Sequence, residues 1–138
     1  MYKELPIKIE LIVFAKHSNK IDYLVLKRTE KEGGFWQPVT GTLEMDESIK
    51  KCLLRELKEE TGINSIIKVT DEVYRFSWEK SNYTVVELVY GVEVALKKIK
   101  LNPEEHNEYK WCCFEEAVGL LGRENNKKAY LAFKQLSH

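Results

Sequence analysis

Residues 41–63 read GTLEMDESIKKCLLRELKEETGI. Apolar residues from Ile49 onward recur at helical spacing, Asp46 suits an N-cap and Gly62 is a stop signal, so a helix is expected over 47–61. Glu56, Glu59 and Glu60 then stand at i, i+3 and i+4 on one face. They also stand near the helix C-terminus, where the backbone dipole disfavours negative charge. Ile49, Cys52 and Leu53 lie on the same side, one to two turns earlier. A solvated acidic face would lie opposite the apolar stripe instead. The i, i+4 pairs Glu47–Lys51 and Arg55–Glu59 offset part of the charge, each by about 0.2–0.5 kcal/mol. Glu56 and Glu60 have no cation four residues away. The spacing fits oxygen ligands for a hard divalent cation, Mg²⁺ or Mn²⁺. It fits a charged, solvated helix equally well.

The bulk of the chain narrows the setting. Its 138 residues suit one compact domain, expected to run over 1–138. Lys+Arg and Asp+Glu number 22 each, so no global field gathers nucleic acid or an anionic membrane. No apolar run is long enough to span a bilayer, and the N-terminus lacks the apolar core of a secretory signal. Cys52, Cys112 and Cys113 form neither a disulfide nor a zinc framework, which suits a cytoplasmic protein. Oligomeric state, monomer or homodimer, is not written in the sequence.

Strands are expected over 7–14, 22–28, 66–78, 83–95 and 109–113, with helices over 114–121 and 125–136. The two long runs at 66–78 and 83–95 read as a hairpin. Strands, helix, strands and helix in that order favour a mixed sheet covered by helices over a regular parallel repeat.

The frame around the acidic helix is more specific than the helix. Gly41, five residues, Glu47, seven residues, Arg55-Glu56, Leu57, one residue, Glu59-Glu60, one residue, Gly62 and Ile63 resemble the Nudix box at every fixed position. The resemblance implies an α/β (α+β) fold, an α/β/α sandwich around a mixed β-sheet. It implies hydrolysis of a nucleoside diphosphate linked to a further group, with Glu56, Glu59 and Glu60 binding Mg²⁺ or Mn²⁺. A backbone carbonyl at Thr40 or Gly41 would join them, and Glu47 with Arg55 would form a supporting salt bridge. Many members carry Gly-Gly where this chain has Thr40-Gly41, a position at which threonine restricts the backbone.

A pyrophosphate linkage resists water because its oxygens repel a nucleophile. A divalent cation neutralises that charge and helps ionise water, while a carboxylate takes the proton. That base is one of the helix glutamates or comes from NPEEHNEYKW, residues 102–111. The latter resembles the Glu-His and Tyr-x-Trp pattern of several Nudix groups, which implicates Glu105, with Glu104 and Glu108 as rivals. A solvated acidic loop is the plainer reading of the same residues.

Before the box stands FWQPVTG, residues 35–41. Phe35 and Trp36 fit core aromatics as well as substrate contacts. The run is similar to that of the Nudix group acting on dihydroneopterin triphosphate and dATP, which implicates Phe35, Trp36 and Gln37 in substrate binding, with Arg28 a further candidate. Trp78 stands where ADP-ribose enzymes tend to have proline, and Glu79, Lys80 and Ser81 where diadenosine polyphosphate enzymes tend to have tyrosine. The expected activity is Mg²⁺-dependent cleavage of a small nucleoside triphosphate-type substrate to monophosphate and pyrophosphate. Diadenosine polyphosphate hydrolysis and non-catalytic nucleotide binding are the alternatives. Neither nucleic acid nor membrane is expected as a partner.

Overall fold

A computed structural model describes residues 4–136, so the outermost residues of the expected 1–138 domain lie outside the described ones. The elements are β1 (Glu4–His17), β2 (Lys20–Arg28), β3 (Trp36–Gln37), β4 (Val39–Glu44), α1 (Ile49–Thr61), β5 (Lys68–Lys80), β6 (Tyr83–Glu93), β7 (His106–Cys112), α2 (Phe114–Leu120) and α3 (Glu124–Gln135). The seven strands form one mixed sheet.

β1 organises it. On one side β1 pairs in parallel with β6, Ile7 opposite Val86 through Phe14 opposite Glu93. On the other side it changes partner along its length. Residues 4–11 pair antiparallel with β4, and 14–17 pair antiparallel with β2. β2 continues outward to β7 and β3, while β5 pairs with β6 as the expected hairpin. β2 and β4 therefore diverge from one strand and leave a cleft between them.

Alternation along β1 divides the core in two. Ile9, Leu11 and Val13 face α1, where they pack with Leu24, Leu53, Leu57 and Val92. Ile12 and Phe14 face the other way and pack with Tyr23, Val89, Phe114, Tyr130 and Phe133. Helices on both faces of a mixed sheet give the α/β/α sandwich that the resemblance implies.

α1 begins later than the sequence suggests. Ser48, not Asp46, is its N-cap, accepting the Lys51 N–H at 3.1 Å. Asp46 adopts φ 66° in a tight turn that precedes the helix. The Glu44 backbone N–H donates to the Glu47 carboxylate at 3.0 Å, so Glu47 closes that turn instead of entering the helix. Gly62 ends α1 at φ 79°, its N–H returning to the Lys58 carbonyl. The segment 29–34 contains a short 3₁₀ turn at Glu30–Glu32. The last strand starts at His106, three residues before Tyr109, because Arg28 at the end of β2 offers it a pairing partner.

Candidate active site

α1 lays one face on β4, and Gly41 makes that approach feasible. A Cβ on Gly41 would overlap the Glu56 carboxyl. Glu56 and Glu60 are thereby buried between helix and sheet, 9% and 3% exposed, while Glu59 points outward. The carboxylates of one helix face thus divide into an inner pair and an outer one.

Arg55 holds the assembly in register. Its Nε and Nη2 grip Glu47 at 2.6 and 2.9 Å, Nη2 also reaches the Thr42 carbonyl at 3.1 Å, and Nη1 donates to Glu56 at 2.9 Å. This fork holds the Glu47 carboxyl down at about 2. The opposite holds for Glu56: burial pushes its carboxyl up to about 7, Arg55 pulling the other way and Glu60 adding to the rise.

A second chain of contacts reaches Glu60 from β2, β3 and β7. Arg28 Nη1 donates to Gln37 Oε1 at 3.3 Å, which turns the Gln37 amide N–H toward His106 Nε2 at 2.9 Å. Nε2 is then an acceptor and the ring proton resides on Nδ1. Nδ1 stands 3.1 Å from Glu60 Oε1, too poorly aligned for a hydrogen bond, and both atoms are buried without a hydrogen-bond partner among the described residues. Glu105 lies in the same cavity. Burial, then the charge of Glu60, raises its carboxyl above the ordinary range.

These groups surround a polar cavity of ≈ 320 Å³ lined by Gly41, Glu44, Arg55, Glu56, Glu59, Glu60 and Glu105, with Lys8 and Arg28 at its rim. The donor set is all oxygen, and Glu60 Oε1 is an orphaned buried atom. Both suit a hard divalent cation. Among the described residues no three such groups already close on one point.

This cavity adjoins a second cleft of ≈ 490 Å³, and Lys8, Arg28 and Thr40 line both. Phe35 and Gln37 line the cleft, but Trp36 does not; it packs against the core on the α2 and α3 side. Two guanidiniums lie over the Phe35 ring, Arg28 5.6 Å and Arg123 4.6 Å from its centre. The sequence reading overlooked Lys8, Glu44, Glu87, Arg123 and Asn126, which also line these spaces. Lys8, Glu10 and Glu87 carried a signal, as charged residues interrupting two apolar strands at positions of one face. Arg123 and Asn126 carried none.

The chain matches the NUDIX domain over residues 8–133. It is 26% identical over 132 residues to a dihydroneopterin triphosphate diphosphatase of Haemophilus influenzae, covering 86% of this chain and 81% of that protein. It is 28% identical over 127 residues to an asymmetrical bis(5′-nucleosyl)-tetraphosphatase of Rattus norvegicus, covering 85% of each. Over 92 residues it is 33% identical to an octanoyltransferase of Myxococcus xanthus, but there it spans a quarter of the relative's length. The structure of the Escherichia coli dihydroneopterin triphosphate pyrophosphohydrolase superposes with a TM-score of 0.80 over 97% of this chain and 98% of that one, a likeness of fold at 23% identity. Among the described residues no helix is long and apolar enough to cross a membrane. A domain match of that extent, on a chain folded around the same box, means that the protein belongs to the Nudix family of pyrophosphohydrolases.

Proposed function

We propose that this protein is a Mg²⁺-dependent enzyme that hydrolyses a small nucleoside triphosphate-type substrate to a monophosphate and pyrophosphate. The observation that carries this reading is that the carboxylate cavity adjoins the aromatic and cationic cleft, with Lys8, Arg28 and Thr40 lining both. One molecule with a ring at one end and phosphates at the other spans both spaces.

Glu56, Glu59 and Glu60 would hold Mg²⁺, or Mn²⁺, with Thr40 or Gly41 offering a carbonyl. Such an ion supplies charge neutralisation at the phosphates and favours ionisation of the attacking water. Lys8 and Arg28 bind phosphate oxygens at the join of the two spaces. Phe35, Phe76 and Trp78 offer aromatic surface to the ring. Glu105 takes the proton from water as its oxygen bonds to phosphorus, and the bond to the leaving phosphate oxygen breaks. The raised Glu105 carboxyl is a stronger base than a free one. Arg55 and Glu47 keep α1 in register without touching substrate.

The relative acting on bis-nucleosyl tetraphosphates, similar over most of both chains, supports diadenosine polyphosphate hydrolysis as the second reading. A nucleotide panel in ¹⁸O-labelled water tests both. Pyrophosphate release from a triphosphate is expected, abolished by EDTA, and the labelled product identifies the phosphorus attacked. Cleavage of diadenosine tetraphosphate alone would support the second reading. Activity that survives EDTA would overturn the metal assignment.

A further inference from the structure

His106 has no part in the chemistry above, yet its imidazole is fully buried beside Glu60. Its direction comes from an irregularity in β7. Tyr109 stands opposite Leu26 and Glu108 opposite Lys27, so regular pairing would set Asn107 opposite Arg28. His106 stands there instead. The extra residue turns His106 onto the face that Leu26 and Tyr109 share, toward α1. Gln37 of β3, opposite Leu26, projects from the same face. Arg28, Gln37 and His106 then form a directed chain. Arginine only donates, so the Gln37 side-chain oxygen faces Arg28, at 3.3 Å. That leaves the Gln37 amide N–H for His106 Nε2, at 2.9 Å, and the ring proton for Nδ1. Nδ1 stands 3.1 Å from Glu60 Oε1. Their alignment is poor, but neither atom has a hydrogen-bond partner among the described residues. The terminal torsion of a glutamate is soft, so the rotation that aligns them costs little. Leaving both atoms buried and unsatisfied costs more.

We propose that His106 is a positioning residue for Glu60: its Nδ1–H, directed by Arg28 and Gln37, donates to Oε1 and leaves Oε2 to the cation. A carboxylate that binds a metal is oriented by such a donor, and losing the donor typically costs about 10–100-fold in metal affinity. The second oxygen keeps its lone pairs for the ion because the first is occupied from within the protein. Gln37 acts in this arrangement on His106 and not on the substrate ring. Arg28 lines the carboxylate cavity as well, so one chain of contacts ties a cation at the phosphates to a carboxylate at the metal. The inference rests on the metal-binding role proposed above for Glu60; the tautomer of His106 does not.

The test begins with the metal-free full chain. Its ¹⁵N spectra should show the His106 ring proton on Nδ1 alone. Gln37→Glu presents acceptor oxygens to both neighbours and should place a proton on Nε2. A wild-type ring protonated on Nε2, or a ring unchanged by Gln37→Glu, overturns the proposal. Mn²⁺ titration by calorimetry then reads the effect on the site. His106→Leu should weaken Mn²⁺ binding by about tenfold or more. His106→Asn carries an amide N–H near the place of Nδ1 and should recover most of that loss. Unchanged Mn²⁺ affinity in folded His106→Leu, even beside a lower melting temperature, marks a merely structural residue and overturns the proposal. So does a His106→Asn protein that binds Mn²⁺ as weakly as His106→Leu. If neither variant folds, the two ¹⁵N spectra decide. Wild-type protein that binds no Mn²⁺ would overturn the metal site proposed above, and the role of His106 with it, whatever the tautomer.

Discussion

Glu59 and Glu60 are adjacent in the chain, yet their side chains are 56% and 4% exposed. Burial costs a charge its hydration, so on the proposed reading Glu60 and Glu56 would gain most from a cation, while Glu59 keeps its solvation. Glu105 completes the group from another segment. If Glu105 is the base, as proposed, Glu105→Gln removes it without removing bulk, and kcat should fall by about 10²-fold or more in a steady-state assay. Near wild-type turnover by this variant, beside an inactive Glu59→Gln, would move the base to the helix. Glu56 sets a pH dependence. Its folded pKa, about 7, lies above the ordinary carboxylate value. The folded chain therefore binds the extra proton more tightly than the unfolded chain. That contribution to stability is complete at acidic pH below the unfolded value and is lost as pH rises through about 7. Denaturant melts of the metal-free protein should show this decline, and Mn²⁺ should reduce it by favouring the ionised form. A metal-free profile that rises with pH over that interval would contradict the assignment.

At the scale of elements, the joint between β4 and α1 positions the chemistry. Gly41 is the point of closest approach, and a methyl group there must displace the Glu56 carboxyl or the helix. Gly41→Ala should therefore cost about 1–3 kcal/mol of stability through overpacking. Its effect on turnover should be larger, about 10²-fold, because small displacements of positioned groups are expensive in rate. A thermal melt beside a kcat measurement separates the two, and normal turnover would show that the joint can yield. The turn at 44–48 matters for the same reason. By keeping Glu47 outside α1, it lets both carboxylate oxygens meet the Nε–Nη2 edge of Arg55.

For the whole molecule, the decisive feature is that β1 serves β6 throughout and divides its other edge between β4 and β2. β2 and β4 diverge at the cavity, where Arg28 of β2 and Thr40–Thr42 of β4 line it. Leu57, on the α1 side, and Phe133, on the α3 side, are both almost wholly buried. Truncating either to alanine should cost about 2–5 kcal/mol in urea melts. Because one sheet joins the cores, each variant should unfold in a single transition; a biphasic melt would show that they separate. Glu56, Glu59, Glu60, Arg55 and the end of α1 were legible in the chain because neighbours within five residues share a helix face whatever surrounds them, and local backbone geometry sets that periodicity. The mixed sheet was legible from apolar runs and turn residues in the same way. The start of α1 was not, because two hydrogen bonds between Glu44 and Glu47 close a turn ahead of it and leave the cap to Ser48. Nor was the burial of Trp36 away from the cleft, or the meeting of Lys8 from β1, Glu87 from β6 and Asn126 from α3 around it. Those positions depend on which strands pair and where β1 changes partner, and pairing between distant segments leaves no periodic trace in either segment alone.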